Sequence, residues 1–551
     1  MSDLSPDPNS AMPAAIQTNW QIRASLESRL TDHPGDVGAM RQMCQLADHT
    51  GDYGHAVHWL CKSLESHPAL HEAYGLLGYA MCKLGQFSAG LECFDKAIAL
   101  HPNHAAYFLE RAATLAEMGR QFEAVKAYDQ AITLDPNDAS AYAYRGTALL
   151  GLGQANLALQ SFNTALALDA QCVAAYLNRG NAYLKQQDFQ RALADYDQAI
   201  RLQANHALAH ANRGVALKHL HRLDESIAST QRAIALDPDY NDAQFNLALT
   251  QLLRGDLQNG FRGYHVRWQT PTFAPISRNF AQPLWLGQTS IAGKRLLVHN
   301  EQGLGDSIQF SRFVTLASEI GAEVIYEVEQ SLFELFQTLL GVHQLVRQRE
   351  SLPAFDFYCP VMSLPVAFGC TLESLPAPLA YLQASKAKRD RWATRLGRKN
   401  KPRVGLVWSG SATHQADLQR SIPFSALLSA LPAGVDYVSL QKELRQSDAQ
   451  VLAAQPQIRH FGTELSDFSD TAALCSQMDL VVAVDTSVAH LAGALGVETY
   501  LLLPHTPDWR WMLDRTDSPW YPRMRLLRQT QPGDWVPVLR SLRELLSQRA
   551  Q

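Results

Sequence analysis

The chain has 551 residues, too many for a single hydrophobic core, so two or three domains are expected. A formal net charge of −5 and a pI near 6.4 give no reason to invoke nucleic acid or an anionic membrane surface as partner. No apolar run approaches the ~18 residues of a membrane span, and none of the eight cysteines forms a Cys-x-x-Cys pair, which favours reduced thiols in a cytoplasmic protein over zinc or disulfides.

Residues 1–36 form a lead-in, disordered or a single helix. The stretch 1–19 is polar, carries Pro6, Pro8 and Pro13, and lacks the basic and apolar regions of a secretory signal, so it is expected to be disordered.

From 37 to 274 the sequence repeats every 34 residues without gaps, in seven units: 37–70, 71–104, 105–138, 139–172, 173–206, 207–240 and 241–274. One column reads Ala97, Ala131, Ala165, Ala199, Ala233, with Ser63 and Arg267 departing at the ends. Another reads Leu60, Phe94, Tyr128, Phe162, Tyr196, and a small-residue column runs Gly78, Ala112, Gly146, Gly180, Gly214, Ala248. Pro68, Pro102, Pro136 and Pro238 close helices that proline cannot continue. Small residues where two helices touch, an aromatic filling the gap and a proline at the exit describe a helix–turn–helix unit that must stack to bury its apolar face. These columns resemble the tetratricopeptide repeat family.

A stack of such units makes a concave groove. Asn178, Asn212 and Asn246 occupy the same position on the first helix of three successive repeats. Each amide offers a donor and an acceptor to the backbone of an extended peptide. The column resembles the asparagine ladder of the O-linked N-acetylglucosamine transferases, which implies a protein or peptide acceptor in the groove. Asparagine tolerated on a solvated face is the alternative, and Glu110 and Tyr144 interrupt the column.

The segment 268–286, with Pro271, Pro275, Pro283 and Trp285, has no period and is expected to dock the repeats onto the second half of the chain. Strands are then expected at 295–298, 322–328, 344–347 and 355–359, with helices at 307–320 and 331–340 between the first three, a βαβαβ pattern within 275–385. After a polar segment, 386–401, a second series occupies 400–551. Its strands fall at 403–408, 435–440, 480–484 and 499–503, and its helices at 423–431, 470–478 and 487–495. A last helix, 536–549, closes the chain, with a return to the first sheet left open. The pattern implies two Rossmann-like domains facing each other across a cleft, with ligands beyond the carboxyl ends of the strands.

Two loops stand at such ends. After the first strand, Gly303-Leu304-Gly305-Asp306 opens a helix, either as a plain βα turn or as a close approach to a ligand. After the buried run 480–484, Asp485, Thr486 and Ser487 offer a carboxylate, hydroxyls and backbone N–H groups at a helix N-terminus, an anion site by its dipole. His490 comes one turn later, either facing the same way as Thr486 or packed under the loop.

From about Leu296 onward these motifs resemble the bacterial heptosyltransferases, sugar-nucleotide transferases of GT-B architecture with an Asp-Thr-Gly-x-x-His loop. The resemblance implies that Asp485, Thr486, Ser487 and His490 contact the nucleotide sugar, although Ser487 replaces the family's glycine. It also implies Ser409 and Arg420 at the diphosphate and Gln441 and Lys442 at the nucleoside. Arg420 is alternatively a surface ion pair with Asp417. Asp306 corresponds to the general base toward an acceptor hydroxyl, with Gly303 and Gly305 letting the acceptor approach. His299, Glu301 and Gln309 flank that turn. No metal and no cofactor is implied, and the second half contains no Asp-x-Asp signature.

The expected architecture is therefore an α-solenoid of tetratricopeptide repeats followed by α/β, two Rossmann-like domains in GT-B arrangement. The expected activity is inverting, metal-independent glycosyl transfer from a nucleotide sugar to an acceptor presented by the repeats. The alternative is a repeat scaffold whose transferase domain has decayed, against which the joint presence of Asp306, Arg420, Asp485 and His490 argues. An epimerase would want a Gly-x-x-Gly-x-x-Gly fingerprint and a Tyr-x-x-x-Lys pair, and neither occurs.

Overall fold

The computed structural model describes residues 14–412 and 417–550. The chain forms two compact units, 1–216 and 217–551.

In the first unit a helix runs Ala14–Asp32, correcting the expectation of disorder for the part of 1–19 from Ala14 onward. The rest of that stretch lies outside the described residues. No proline interrupts the helix after Pro13, and Leu26 and Leu30, four apart, bury against Met40 and Met43 of the next helix. Paired helices continue at the 34-residue period, for example Ala139–Gly151 with Ala155–Leu168 and Val173–Lys185 with Phe189–Leu202. Their contact explains two of the sequence columns at once. A Cβ at Gly78, Gly146 or Gly180 would lie 2.8, 2.5 or 2.7 Å from the ring of Phe94, Phe162 or Tyr196. The aromatic thus lies directly on the backbone of its partner helix, where only the smallest residue leaves room.

The turn between the paired helices passes through a left-handed residue. Gly51, Gly85, Gly119, Gly153 and Gly255 hold this position with φ of 77, 75, 74, 73 and 94°. In the fifth and sixth repeats Gln187 (φ 62°) and His221 (φ 59°) take it, at a backbone cost glycine avoids.

The second unit begins inside helix Ala207–His219, so the last repeats cluster with the sheets, and the boundary at 274 expected from the sequence moves toward the N-terminus. The physical reason is a shared core: Leu252, Leu257, Phe261 and Tyr264 of the seventh repeat pack in one cluster with Leu296, Val298 and Trp509. The second helix of that repeat is short, Leu257–Tyr264, and gives way to a 3₁₀ turn, His265–Gln269.

Two parallel sheets complete the unit. The first contains β1 (Arg295–His299), β2 (Glu323–Val328), β3 (Val342–Arg347) and β4 (Phe357–Pro360), in the order β3-β2-β1-β4. The second contains β5 (Arg403–Val407), β6 (Asp436–Ser439), β7 (Ile458–His460), β8 (Leu480–Val484), β9 (Thr499–Leu503) and β10 (Met524–Arg528), in the order β10-β9-β8-β5-β6-β7. Every pairing is parallel. Counted within each sheet, the order is 3-2-1-4 and 6-5-4-1-2-3, that of a doubly wound sheet. The order reverses between β1 and β4 and between β5 and β8, and the loops after β1, β5 and β8 are those marked in the sequence.

β7 and β10 escape the sequence pattern because they are edge strands carrying Arg459, His460 and Arg525, not buried apolar runs. By contrast, β5, β8 and β9 are buried at every residue. The helix after β1 starts at Leu304, three residues earlier than expected, so Gly305 and Asp306 belong to its first turn. The last helix, Val536–Ala550, stays on the second sheet, where Leu542 and Leu546 pack with Leu406 and Val482.

Candidate functional site

Gly303 caps helix Leu304–Phe310 in an extended conformation, and its N–H donates to Asp306 Oδ2 at 2.9 Å. The other carboxylate oxygen accepts from Arg510 Nη2. Arg510 also donates from Nε to Gln309 Oε1 at 2.6 Å and from Nη1 to Asp508 Oδ1 at 2.7 Å, with its guanidinium 4.3 Å from the Trp509 ring centroid. Burial pushes the Asp306 carboxyl up, and Arg510 opposes it. Burial works against the charge on Arg510, and Asp508 and Asp306 more than offset it. The Asp306 side chain keeps 21% exposure, so its carboxylate is held but reachable.

Gly305 has a different task from the one expected. A Cβ there would lie 3.0 Å from His490 Cδ2 and 3.5 Å from Ser487 Cα. The missing side chain lets this helix lie directly on helix Ser487–Ala494, so the two loops touch instead of facing each other across a gap. The neighbours of the turn are likewise committed to packing. Glu301 forms a bidentate pair with Arg267 at 2.7 and 2.8 Å and accepts from Met362 N–H. His299 is buried and stacks on Tyr358.

At the end of β8, Thr486 caps helix Ser487–Ala494 and turns its hydroxyl back to donate to Val484 O at 3.2 Å. Ser487 is half-buried. His490 is 5% exposed, stacks on Trp511 at 5.3 Å and lies with Nδ1 2.9 Å from Tyr521 Oη. Burial, reinforced by Arg510, Arg312 and Arg420, holds its imidazole neutral. The expectation that His490 contacts a ligand is thus corrected: the ring packs under the loop, 3.8 Å from Asp485. Burial and the charge of Asp508 raise the Asp485 carboxyl to about 6, with Arg420 and Arg510 pulling it down.

Arg420 joins the loops after β5 and β8. Its Nη1 donates to Asp485 O at 2.9 Å, and its guanidinium lies over Gly410, where a Cβ would fall 2.5 Å from Nη2. Asp417 is engaged elsewhere, by Arg445 and by Ser421 Oγ at 2.8 Å, and lies 3.9 Å from Arg420 Nε. The ion pair considered for Arg420 is therefore secondary. Ser409 is buried, and its carbonyl accepts from Gln441 Nε2 at 2.8 Å, while Gln441 Oε1 accepts from Trp408 N–H at 3.3 Å. That amide clamps the backbone after β5 instead of presenting itself to a nucleoside. Lys442 is exposed and donates to Ser466 O at 3.1 Å.

The asparagine column is partly occupied from within. Asn178 donates to Thr147 Oγ1 at 3.1 Å and Asn212 to Asn181 Oδ1 at 3.0 Å, each reaching the preceding repeat. Asn246 is half-buried on helix Asn241–Arg254.

Arg510 and Arg445 are the groups that sequence reasoning missed. A signal for Arg510 existed in Asp508-Trp509-Arg510-Trp511, a charged pair framed by two tryptophans after a buried strand. Two buried donors here make no hydrogen bond: Gln309 Nε2 and Arg420 Nε. Both ask for an acceptor. Among the described residues no cluster of three or more His, Cys, Asp or Glu is suited to a metal ion, and no helix is long and apolar enough to cross a membrane.

Comparison with known proteins bears on the repeats. Tetratricopeptide repeat models match residues 144–207, 177–240 and 212–261, and a second repeat model matches 114–153. Protein FlbA of Caulobacter vibrioides is 28% identical over 327 residues, 54% of this chain, and the chain spans about half (53%) of that protein's length. Among solved structures, YrrB, described as a tetratricopeptide repeat protein with an unusual peptide-binding site, is 20% identical with a TM-score of 0.29, covering 33% of this chain and 95% of that one. The Cut9–Hcn1 hetero-tetramer of the APC/C gives 16% identity and a TM-score of 0.38 over 42% of this chain and 46% of that one. Residues 114–261 are tetratricopeptide repeats, the remainder of the chain following as an α/β unit with two parallel sheets.

Proposed function

We propose that the chain is an inverting, metal-independent glycosyltransferase, its two sheets forming a GT-B arrangement and its repeats presenting a protein or peptide acceptor. The observation that carries the reading is the meeting of Asp306, Arg510, Asp485 and Arg420 where both doubly wound sheets reverse their order. In this reading Asp306 takes the proton of an acceptor hydroxyl as the oxygen forms its bond to the anomeric carbon. The bond from that carbon to the diphosphate breaks on the opposite face, and the diphosphate leaves with the electron pair. Arg420 and the N-terminus of helix Ser487–Ala494 stabilise the charge that develops there. A carboxyl raised by burial suits a base, and Arg510 keeps it ionised and oriented.

His490 supports this arrangement from beneath by fixing Trp511 and Tyr521, and Gln441 does so by clamping the Ser409 backbone. Asp306→Asn keeps the shape and the Gly303 contact but removes the base. Transfer from a panel of nucleotide sugars, read by intact mass of co-expressed proteins, should fall on the order of a hundred- to ten-thousand-fold. Nucleoside diphosphate binding should stay nearly intact. Unchanged turnover would remove Asp306 as base.

A further inference from the structure

Lys218 stands apart from its column in the repeats. The equivalent residues are Cys82, Ala116, Leu150, Leu184 and Leu252, with Asp48 in the first repeat. Only in the sixth repeat does a lysine take the position, next to the end of helix Ala207–His219, and there it is half-buried.

The turn after that helix is tied to the loop after β9. His219 O accepts from Thr506 Oγ1 at 3.4 Å, His221 Nε2 lies 3.2 Å from the same hydroxyl, and the rings of His221 and His505 stack at 4.2 Å. Two residues past Thr506 comes Asp508, whose charge acts on Lys218. Asp508 is already engaged: its Oδ1 accepts from Arg510 N–H at 3.0 Å and from Arg510 Nη1 at 2.7 Å. Among the described residues Lys218 makes no hydrogen bond and no ion pair. Burial pushes its amine down, with Asp508 only partly opposing.

A half-buried ammonium without a partner destabilises the fold, and the leucine found in the repeats on either side, Leu184 and Leu252, would not. Its neighbourhood also explains why it is worth keeping. Lys218 leads through Asp508 to Arg510 and Asp306, and the buried donors still lacking acceptors, Gln309 Nε2 and Arg420 Nε, belong to the same group of residues. Surplus donors with surplus positive charge call for an acceptor-only anion, the chemistry of phosphate oxygens.

We propose that Lys218 is an anion ligand of this site, its ammonium holding a phosphate oxygen of the diphosphate that Arg420 meets, so that the repeats contribute directly to the binding site. The assignment rests on the reading of Arg420 as a diphosphate contact. Lys218 acts in it as a positioning residue for the leaving group.

Inorganic pyrophosphate, titrated by calorimetry into the full chain, provides the test, together with the thermal midpoint of each variant. The wild type should bind, Lys218→Met should bind roughly tenfold or more weakly, and Lys218→Arg should stay within a few-fold. The midpoint of Lys218→Met should rise, because an unpaired charge has been replaced by an apolar chain of similar length. Equal affinity of Lys218→Met and wild type overturns the assignment and leaves the diphosphate reading standing. A lowered midpoint for Lys218→Met also overturns it, since a structural lysine would show that sign. Absence of pyrophosphate binding by the wild type overturns both readings.

Discussion

At the scale of single residues, departures from the repeat pattern are the informative positions. Arg267 breaks the alanine column because it leaves that column's work altogether: its guanidinium is buried against Glu301, Ser363 Oγ and Tyr264 O. Removing one partner would strand the other charge, so the pair fixes how the first sheet meets the seventh repeat. Gln187 departs in the other direction. Its side chain is exposed, and its backbone holds a left-handed conformation that glycine takes in five other repeats. Gln187→Gly should therefore stabilise the chain by about 1 kcal/mol in urea unfolding, the left-handed penalty removed exceeding the added freedom of the unfolded chain. A loss of stability would show that the Gln187 side chain matters more than its backbone.

At the scale of elements, the glycine–aromatic contact sets the spacing of each helix pair. Ala112 and Ala248 in the same column show that one methyl is accommodated by a shift elsewhere in the series, while Gly146 sits 2.5 Å from where its Cβ would meet Phe162. A branched side chain has no such escape. Gly146→Val should cost about 1–3 kcal/mol by overpacking, read as a lowered urea midpoint, and Gly153, already left-handed and open to solvent, is the control position for a merely local effect. The same logic holds for Gly305, where the neighbour is His490 instead of an aromatic of its own hairpin. Both are close approaches, yet one stacks repeats and the other joins two sheets.

At the scale of the whole molecule, buried histidines link stability to pH. Burial pushes His299 down to about 4, with its contact to Asn300 opposing. In the unfolded chain the same ring titrates near 6.5. Between these values the unfolded state binds a proton that the folded state does not, so His299 removes stability as pH falls from about 6.5 toward 4. The slope it contributes is about 1.4 kcal/mol per pH unit at most. Asp485, raised to about 6, acts with the opposite sign over a similar window, since its folded carboxyl takes up a proton first. Comparing wild type with His299→Phe at pH 7 and pH 5 isolates the contribution: the variant should lose less stability on acidification. A difference of the same size at both pH values would mean that the ring is protonated in the fold.

The sequence by itself determined the repeats, their 34-residue period, the buried strands and the loops that lie at the sheets' reversal points. Periodicity and burial are written along the chain, and Asp306, Arg420 and Asp485 could be singled out from strand ends alone. Tertiary structure alone decided what those side chains touch. Arg510 reaches Asp306 from a loop about two hundred residues away in sequence, and Gly305 opens a contact with a helix in the other sheet. His490 turned inward because Trp511 and Tyr521, distant in the pattern, supplied an apolar face for its ring. The same holds for Lys218, ordinary in sequence and distinctive only once Asp508 is found beside it. Contacts between remote loops depend on how separate elements pack, and no local spacing encodes that.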